Sequence, residues 1–265
     1  MPMPPSAAIP QALRDRVRAG TPVIGTFVKT TSPQTIEVLG HSGLDFIVLD
    51  AEHAPFGIDT LDGAAAAARA ASLPAIVRIP NHAPSFINSC LDMGTSGILV
   101  PHVLSANDAE GVADAVKYGR GKRGFSPSGR AGRYGQVDFG EYRTDADANS
   151  NVWCQIEDRS AMEHLDAIAS VEDVDCLFIG PADLGLSLGC DGPKDPRLVE
   201  AIRTIADAGQ RHGRTVGLFV PNTQSIPDMI AIGITLFVCG SDQSLMLGRA
   251  KQVSSELAAM AEAIG

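Results

Sequence analysis

The sequence predicts a (β/α)₈ barrel, and three observations support that prediction. Eight short apolar runs recur along the 265 residues, segments of helical character separate most of them, and polar residues cluster where the runs end. The runs are mostly unpatterned rather than alternating, as expected for parallel strands that are covered on both faces. Eight such units in about 250 residues match the size of this fold. An open doubly wound sheet is the runner-up, but it would concentrate polar residues at one switch point.

The predicted strands coincide with the apolar runs, and a helix precedes the first of them. Residues 1–9 are Pro-rich and are expected to be flexible, and a helix is predicted from about Gln11 to Ala19, ending before Gly20. The eight strands are predicted at Val23–Val28, Asp45–Leu49, Ala75–Ile79, Gly97–Val100, Val152–Ile156, Cys176–Ile179, Thr215–Phe219 and Leu236–Cys239. Residues 1–265 are therefore predicted to form a single barrel domain.

Three of the connecting segments show clear helical signals. The segment DTLDGAAAAARAAS is predicted to be a helix with Asp59 or Thr60 as its N-cap, and SANDAEGVADAVKYG a helix capped by Ser105. In DPRLVEAIRTIADAGQRHG the apolar residues recur at helical spacing, so one face is expected to be buried. After Ser241 one last helix is predicted, from roughly Gln243 to Ala263.

The segment Gly119–Tyr142 interrupts the alternation of strands and helices. It is rich in Gly and Arg, shows no helical period and is too long for an ordinary connector. Long loops of this kind often carry function, so this segment is a candidate active-site loop.

Composition and charge narrow the classes of function. Hydrophobic residues make up 45% of the chain, which allows a packed core, and the net charge of −10 argues against nucleic acid and anionic membranes as partners. The five cysteines form no CxxC pair, and Cys154, Cys176 and Cys239 lie in apolar runs, as expected for small buried side chains. Because no apolar stretch has signal-peptide or transmembrane length, we expect a cytoplasmic protein.

Acidic residues stand at the ends of two neighbouring predicted strands. Glu157 follows the fifth strand and Asp183 follows the sixth, and in a barrel the active site lies at this C-terminal edge. Two converging carboxylates repel each other unless a cation lies between them. Carboxylates without His or Cys favour a hard ion, so the pair predicts a Mg²⁺ or Mn²⁺ site, with Co²⁺ as a third candidate. The alternative is structural: one acid caps a helix and the other pairs with an arginine.

Basic and backbone groups at the same edge predict an anion site. Arg78 ends the third strand, and its planar guanidinium suits a carboxylate or an oxygen that becomes anionic during reaction, with a structural ion pair as the alternative. The turn Gly180-Pro181-Ala182-Asp183 opens a helix and can present backbone N–H groups to an anion. Pro181 has no N–H, so Ala182 and Asp183 must be the donors.

The second strand ends in three titratable residues, in the stretch IVLDAEHAPF. Asp50 and His53 stand where a general base is needed, because His titrates near neutrality and an adjacent acid can orient and tune it. Glu52 is expected to point sideways into structural contacts. A structural role for His53 is the competing interpretation.

Several segments of the chain, taken in order, resemble the HpcH/HpaI family of metal-dependent pyruvate aldolases, the hydroxy-oxo-dioate aldolases. They are LDAEHAPF, VRIP, GILVPHV, RGFSPSGRAGRYG, QIED and LFIGPADLGLSLG, and the resemblance covers roughly Val23 to Gly240. It implies a (β/α)₈ barrel and reversible aldol cleavage of 4-hydroxy-2-oxo acids to pyruvate and an aldehyde, through a metal-stabilised pyruvate enolate. It also implies a homotrimer or homohexamer in which neighbours exchange a C-terminal helix.

The family resemblance also implies roles for individual residues. Glu157 and Asp183 match the metal ligands, and Arg78 matches the residue that stabilises the enolate oxygen. Asp50 and His53 match the pair that handles protons. A further set is expected to contact or support the substrate: Gln155 beside the metal, Gly180, Pro181 and Ala182 around the pyruvate carboxylate, Arg123 in the long loop, and Asp92, which would pair with the histidine across a subunit contact.

Three other interpretations are compatible with the sequence. A Schiff-base aldolase needs a buried lysine, and of the five lysines only Lys29 follows a core strand. A citrate-lyase-like enzyme acting on an acyl-CoA needs a basic groove, and the long loop offers cations for it: Arg120, Lys122, Arg123, Arg130 and Arg133. The third is a barrel that binds a small anion and has lost catalysis. His102 and the loop after Gly124 depart from the family pattern, so the aldehyde is left undefined.

Overall fold

Eight parallel strands form a closed barrel in the computed structural model, which describes residues 8–264. The strands are β1 (Val23–Val28), β2 (Phe46–Asp50), β3 (Ala75–Arg78), β4 (Gly97–Val100), β5 (Asn151–Ile156), β6 (Cys176–Ile179), β7 (Thr215–Val220) and β8 (Leu236–Ser241). Each strand pairs in parallel with its neighbours in the chain, and β1 also pairs with β8, which closes the ring. The predicted (β/α)₈ barrel is confirmed, and every predicted strand matches an observed one to within two residues at each end.

Helices separate the strands and cover the barrel. They are α1 (Ala8–Arg18), α2 (Pro33–Gly40), α3 (Ile58–Ala70), α4 (Pro84–Asp92), α5 (Ala106–Val116), α6 (Phe139–Asn149), α7 (Arg159–Glu163), α8 (Leu165–Ser170), α9 (Pro181–Leu188), α10 (Pro196–His212), α11 (Ile226–Ala231) and α12 (Asp242–Ile264). Helix α1 begins earlier than predicted, so the flexibility predicted for residues 1–9 is wrong for Ala8 and Ile9, which are helical, and for residues 1–7 it falls outside the described residues. Among residues 8–264, the helices lack the combined length and hydrophobicity that a membrane crossing requires.

Capping residues determine where several helices begin. The Ser105 hydroxyl accepts the Asp108 N–H at the start of α5, as predicted. Helix α3 begins differently, because its N-cap is Gly57 rather than Asp59 or Thr60. The Thr60 hydroxyl instead accepts the Gly57 N–H at 2.9 Å, which is the reciprocal half of a capping box. The sequence thus predicts the helix at the right place, but the observed N-cap lies two or three residues before the predicted one.

The interior of the barrel is a packed core, and α1 closes its lower end. Phe46 and Trp153 meet edge to face with 5.3 Å between ring centres, and both are fully buried. Leu13 and Val17 of α1 pack into the same cluster, and the hydroxyl of Thr215 at the start of β7 donates to the Val17 carbonyl. Burying each large apolar side chain stabilises the fold by about 2 kcal/mol. With this end filled, the open end of the barrel is the one where the strands finish.

A larger apolar cluster lies between the strands and the surrounding helices. Alanines make many of the contacts of α3, so this helix can approach its neighbours closely. Of the cysteines predicted to be buried, Cys154 and Cys176 are buried and Cys239 is partly exposed. Burial raises the pKa of the Cys154 thiol to about 12, which makes it a packing residue and not a nucleophile.

The segment Gly119–Tyr142 folds against the outside of the barrel. Phe125 packs among Tyr118, Phe139 and Tyr142, with ring centres 4.4 to 5.7 Å apart. Within the described chain, no residue of this segment lines the cavity at the open end of the barrel. Its predicted role as an active-site loop is therefore not supported by its position. The last helix, α12, exposes several large apolar side chains to solvent: Leu245, Met246, Leu247, Val253, Leu257 and Met260.

Candidate active site

A cavity of about 340 Å³ opens at the C-terminal ends of the strands, where the sequence predicts an active site. Residues from six strands and the turns after them line it: Phe27, Lys29, Arg78, Gln155, Phe178, Gly180, Pro181, Ala182, Asp183, Phe219, Pro221, Gly240, Ser241 and Ser244. The fold thus brings together Arg78, Gln155 and the turn from Gly180 to Asp183, which are distant in sequence. Its aromatic floor and few polar groups are typical of a small-molecule site.

Arg78 is held by a two-point ion pair with Asp50. Its Nε donates to Asp50 Oδ1 at 3.0 Å and its Nη2 to Oδ2 at 2.7 Å, and both side chains are buried. The guanidinium also lies 4.4 Å from the centre of the Phe27 ring. Burial alone would raise the pKa of Asp50, but the hydrogen bonds and charge of Arg78 outweigh it, so the pKa lies below its ordinary value. Asp50 is therefore a weak base whose carboxylate orients Arg78.

Lys29 is a third member of this charged cluster. From the sequence, the only role suggested for it is that of a Schiff-base lysine. Its Nζ lies 3.4 Å from Asp50 Oδ2, and the side chain lines the cavity. A Schiff-base lysine is usually activated by an apolar site or by a neighbouring cation. The ammonium of Lys29 is instead paired with a carboxylate. This environment favours a binding role over a nucleophilic one.

His53 and Glu52 are neighbours in the structure, and Asp50 reaches His53 only through the main chain. The His53 N–H donates to Asp50 Oδ1 at 3.1 Å, while the imidazole Nε2 lies 3.6 Å from Glu52 Oε2. The sequence predicts only structural contacts for Glu52, yet its carboxylate also lies 3.4 Å from Arg78 Nη1. The acid beside the candidate base is therefore Glu52 and not Asp50.

Glu157 is a buried carboxylate just after β5. Its Oε1 accepts the His102 N–H at 2.9 Å, and its Oε2 accepts the side-chain amide of Gln155. Its one ion-pair partner in residues 8–264 is His102, whose Nδ1 lies 3.4 Å away. Burial raises the pKa of Glu157, and the hydrogen bonds from His102 and Gln155 offset only part of that effect. A carboxylate in this position would be stabilised by an added cation.

The turn from β6 into α9 brings Asp183 to the same cavity. A Cβ at Gly180 would lie 2.7 Å from Glu157 Oε2 and 2.9 Å from Gln155 Nε2, so the close approach of the turn requires glycine. Asp183 lies in the first turn of α9 and is exposed. The N–H groups of Ala182 and Asp183 precede the first hydrogen bond of the helix, from Leu184, and so are available to an anion.

The donor atoms at this edge fit a divalent cation. They are the carboxylates of Glu157 and Asp183 and the side-chain oxygen of Gln155, which is buried without a hydrogen-bond partner among the described residues. These are hard oxygen donors of the kind that Mg²⁺ and Mn²⁺ prefer. A cation here would also compensate the buried charge of Glu157. Asp183 and Gln155 line the cavity, Glu157 adjoins it through its hydrogen bond with Gln155, and Glu157 and Asp183 remain the predicted ligand pair.

A second group of potential ligands lies beside the first. One atom each from His102, Glu157 and Asp158 come within 4.8 Å of one another. However, the His102 Nδ1 is hydrogen-bonded to Asp158 Oδ2 at 2.9 Å, and this bond raises the pKa of His102. This bond engages Nδ1, the ring nitrogen that lies 3.4 Å from Glu157 Oε1, so Nδ1 is not available to a metal ion shared with Glu157. With a φ of 50°, His102 is in the left-handed region, from which its N–H reaches Glu157, so we assign it to positioning that carboxylate.

Arg123 and Asp92 lie away from the cavity. The Nη2 of Arg123 donates to Asp92 Oδ1 at 3.1 Å and its Nη1 to the Val116 carbonyl at 3.2 Å, while the guanidinium lies 4.1 Å from the centre of the Tyr118 ring. Arg123 is not among the residues that line the cavity, and its expected contact with substrate stays a prediction. Within the chain Asp92 pairs with Arg123, and its expected pairing with a histidine across a subunit contact stays a prediction.

The basic residues of the long loop lie away from the cavity at the strand ends. Four of its five cations pair with acids of neighbouring elements: Arg120 with Asp173, Lys122 with Asp114, Arg123 with Asp92 and Arg130 with Asp62. None of the five lines the cavity. Because these four cations are already paired with carboxylates, their charges are neutralised and are less able to bind the phosphates of an acyl-CoA.

The chain is similar to proteins of one family. The sequence profile of the HpcH/HpaI aldolase/citrate lyase family matches residues 23–248. A 5-keto-4-deoxy-D-glucarate aldolase of Shigella boydii is 34% identical over 221 residues, which cover 83% of this chain and 85% of the relative. An HpcH/HpaI aldolase/citrate lyase family protein from Burkholderia cenocepacia superposes with a TM-score of 0.88 at 29% identity, over 93% of this chain and 99% of its own. The citrate synthase SbnG superposes with a TM-score of 0.82 at 29% identity, over 94% and 97%.

Proposed function

The chain belongs to the HpcH/HpaI aldolase/citrate lyase family, and we propose that it cleaves 4-hydroxy-2-oxo acids to pyruvate and an aldehyde in a reversible, metal-dependent aldol reaction. It is a carbon–carbon lyase of the aldolase type. The observation that supports the proposed site most directly is the pairing of Arg78 with Asp50 at the edge of a cavity that Gln155 and Asp183 also line. This arrangement places one fixed cation and two oxygen donors around a space suited to a small acid.

The side of the cavity formed by β5 and β6 would hold the 2-oxo acid. The free N–H groups of Ala182 and Asp183 suit its carboxylate, because helix N-termini favour anions. A divalent cation held by Glu157 and Asp183 would supply Lewis-acid stabilisation of the charge on the substrate oxygens. Gln155 holds Glu157 in position through its amide N–H and leaves its own oxygen free.

Cleavage of the C3–C4 bond moves its electron pair toward C2, and negative charge develops on the C2 oxygen. Arg78 would stabilise that charge, since a buried guanidinium acts in a low-dielectric environment and needs no reorganisation. The proton of the C4 hydroxyl must leave as the aldehyde forms, and His53, with Glu52 at 3.6 Å, is the proposed acceptor. A proton delivered to C3 then completes pyruvate, and the reverse reaction removes it.

The test is pyruvate release from a panel of 4-hydroxy-2-oxo acids, followed by coupling to lactate dehydrogenase. The panel includes 5-keto-4-deoxy-D-glucarate, the compound that appears in the name of the Shigella boydii relative. We expect release from at least one member and its loss in Glu157→Gln, with Glu163→Gln as a control that removes one acidic charge from α7. Cleavage of an acyl-CoA such as citryl-CoA, with no release from any 2-oxo acid, would contradict the proposal.

A further inference from the structure

Lys29 lines the cavity, and the proposed chemistry gives it no role. It follows directly after β1, its side chain is partly exposed to the cavity, and its Nζ lies 3.4 Å from Asp50 Oδ2. Asp50 already has two hydrogen bonds from Arg78 and one from the His53 N–H. The carboxylate therefore does not need Lys29 to satisfy its hydrogen-bonding capacity, and the ammonium has donors to spare.

The topology of the barrel places Lys29 across the cavity from the proposed metal acids. The eight strands close in sequence order, so β1 stands opposite β5, which leads into Glu157. With the 2-oxo acid end held at the β5 and β6 side and the C4 hydroxyl near His53 after β2, the β1 and β8 side of the cavity is left for the remaining carbons of the aldehyde half. Lys29 on that side is joined by Ser241 and Ser244, which follow or end β8 and also line the cavity.

Charge and hydrogen bonding on this side favour an anion. Asp50 and Glu52 balance the charges of Arg78 and Lys29, but neither acid lines the cavity. The charged side chains that do line it are two cations, Lys29 and Arg78, and one carboxylate, Asp183, which lies at the β6 side. The Oγ of Ser241 accepts the Ser244 N–H at 3.2 Å, and its own hydroxyl proton has no acceptor among the described residues. Both an ammonium and a hydroxyl can therefore donate to a ligand at this end of the cavity.

We propose that Lys29 is a specificity-determining residue that binds a carboxylate on the aldehyde half of the substrate. The inference rests on the proposed function, because it assigns the far end of a substrate whose 2-oxo acid end is held at β5 and β6. Lys29 makes no contact with the reacting atoms in this account. Its loss should affect substrates that carry the second carboxylate and spare those that lack it.

The experiment compares two substrates that undergo the same cleavage. One is 5-keto-4-deoxy-D-glucarate, whose aldehyde half carries a carboxylate, and the other is 4-hydroxy-2-oxopentanoate, whose aldehyde half is uncharged. In Lys29→Met, kcat/KM should fall about 10- to 100-fold for the first, as expected for a lost hydrogen bond to a charged group, and stay unchanged for the second. Lys29→Arg should recover part of the loss, and Lys194→Met, at an exposed lysine, should change neither value.

The outcomes separate this inference from the proposed function. An equal loss with both substrates in Lys29→Met would overturn the inference, because Lys29 would then act through Asp50 and Arg78. Unchanged kcat/KM with both substrates would overturn it as well, while leaving aldol cleavage intact. Release of pyruvate from neither substrate by the unmodified enzyme would overturn the proposed function, and the inference with it.

Discussion

Arg78 and Asp50 are direct partners in the register of two adjacent strands, and their side chains form two hydrogen bonds of 3.0 and 2.7 Å. The sheet itself therefore fixes the orientation of the guanidinium, because each residue is the last of its strand. A pre-oriented cation is what a site needs if it stabilises charge that appears only as a bond breaks.

Replacing Arg78 by Lys should lower kcat/KM for pyruvate release about 100- to 1,000-fold, the usual cost of losing a donor that stabilises a developing oxyanion. A lysine keeps the charge but cannot form the two-point pair with Asp50. Steady-state kinetics of Arg78→Lys measures the effect. Arg203→Lys, on the exposed face of α10, is the matched control and should retain wild-type kinetics. Unaltered kinetics in Arg78→Lys would contradict the role assigned to Arg78.

The Asp50 ion pair should make the fold sensitive to acid. Since the pKa of Asp50 in the folded state lies below its ordinary value of 3.8, the stability it contributes is present above that value. It is lost as the pH falls through the folded-state pKa. Breaking a buried pair costs about 3 kcal/mol, so the Asp50→Asn variant should unfold at a lower urea concentration than wild type at pH 7. The difference in free energy of unfolding between the two proteins should narrow only below about pH 4. A difference that is equal at pH 3 and pH 7 would contradict this.

Two substitutions distinguish the two possible sets of metal ligands. Asp183→Asn should weaken Mn²⁺ binding more than about 100-fold, because it removes a ligand and not an outer-shell partner. Asp158→Asn should retain most of the affinity, since Asp158 is bonded to His102. Titration calorimetry with Mn²⁺ on both full-length variants gives the answer without an activity assay. Loss of binding in Asp158→Asn with retention in Asp183→Asn would place the ion at His102, Glu157 and Asp158.

Lys117, at the end of the barrel opposite the cavity, should make stability rise with alkaline pH. It is buried, its Nζ donates to the Asp147 and Ser150 carbonyls, and burial, together with the charge of Arg14, lowers its pKa to about 8. The folded state therefore binds this proton less tightly than the unfolded state, whose pKa is near 10.5.

Below pH 8 the charged, buried Lys117 lowers the free energy of unfolding, and this destabilisation is removed as the pH rises from 8 to 10.5. The free energy of unfolding gained in this way is at most about 3 kcal/mol. Urea unfolding of wild type and Lys117→Met between pH 7 and 10.5 tests this. Wild type should gain stability relative to the variant across that range. A constant difference would show that Lys117 does not titrate there.

The strands and the edge that carries the site could be predicted because the signals for them are local. Each apolar run marks one strand, and the polar residue that ends it must lie at the common edge of a parallel barrel. Arg78, Gln155 and Asp183 were placed correctly at this edge for that reason.

Contacts between distant segments could not be read from the same pattern. Proximity in the chain suggests that Asp50 serves His53, but strand register pairs Asp50 with Arg78 and leaves Glu52 beside the imidazole. The sequence around Arg123 does not indicate that its partner is Asp92, 31 residues away, or that this pair lies outside the cavity. The side chains whose contacts differ from the predicted ones are those whose partners are set by tertiary packing.

The most direct test of this account is the rate of pyruvate release from 5-keto-4-deoxy-D-glucarate, measured before EDTA treatment, after it, and after addition of Mg²⁺ or Mn²⁺. The account predicts that EDTA abolishes release and that the added ion restores it, because Glu157 and Asp183 serve only through a bound cation. Release that persists in EDTA, and that borohydride stops in the presence of substrate, would contradict the account and assign the reaction to a Schiff base on Lys29.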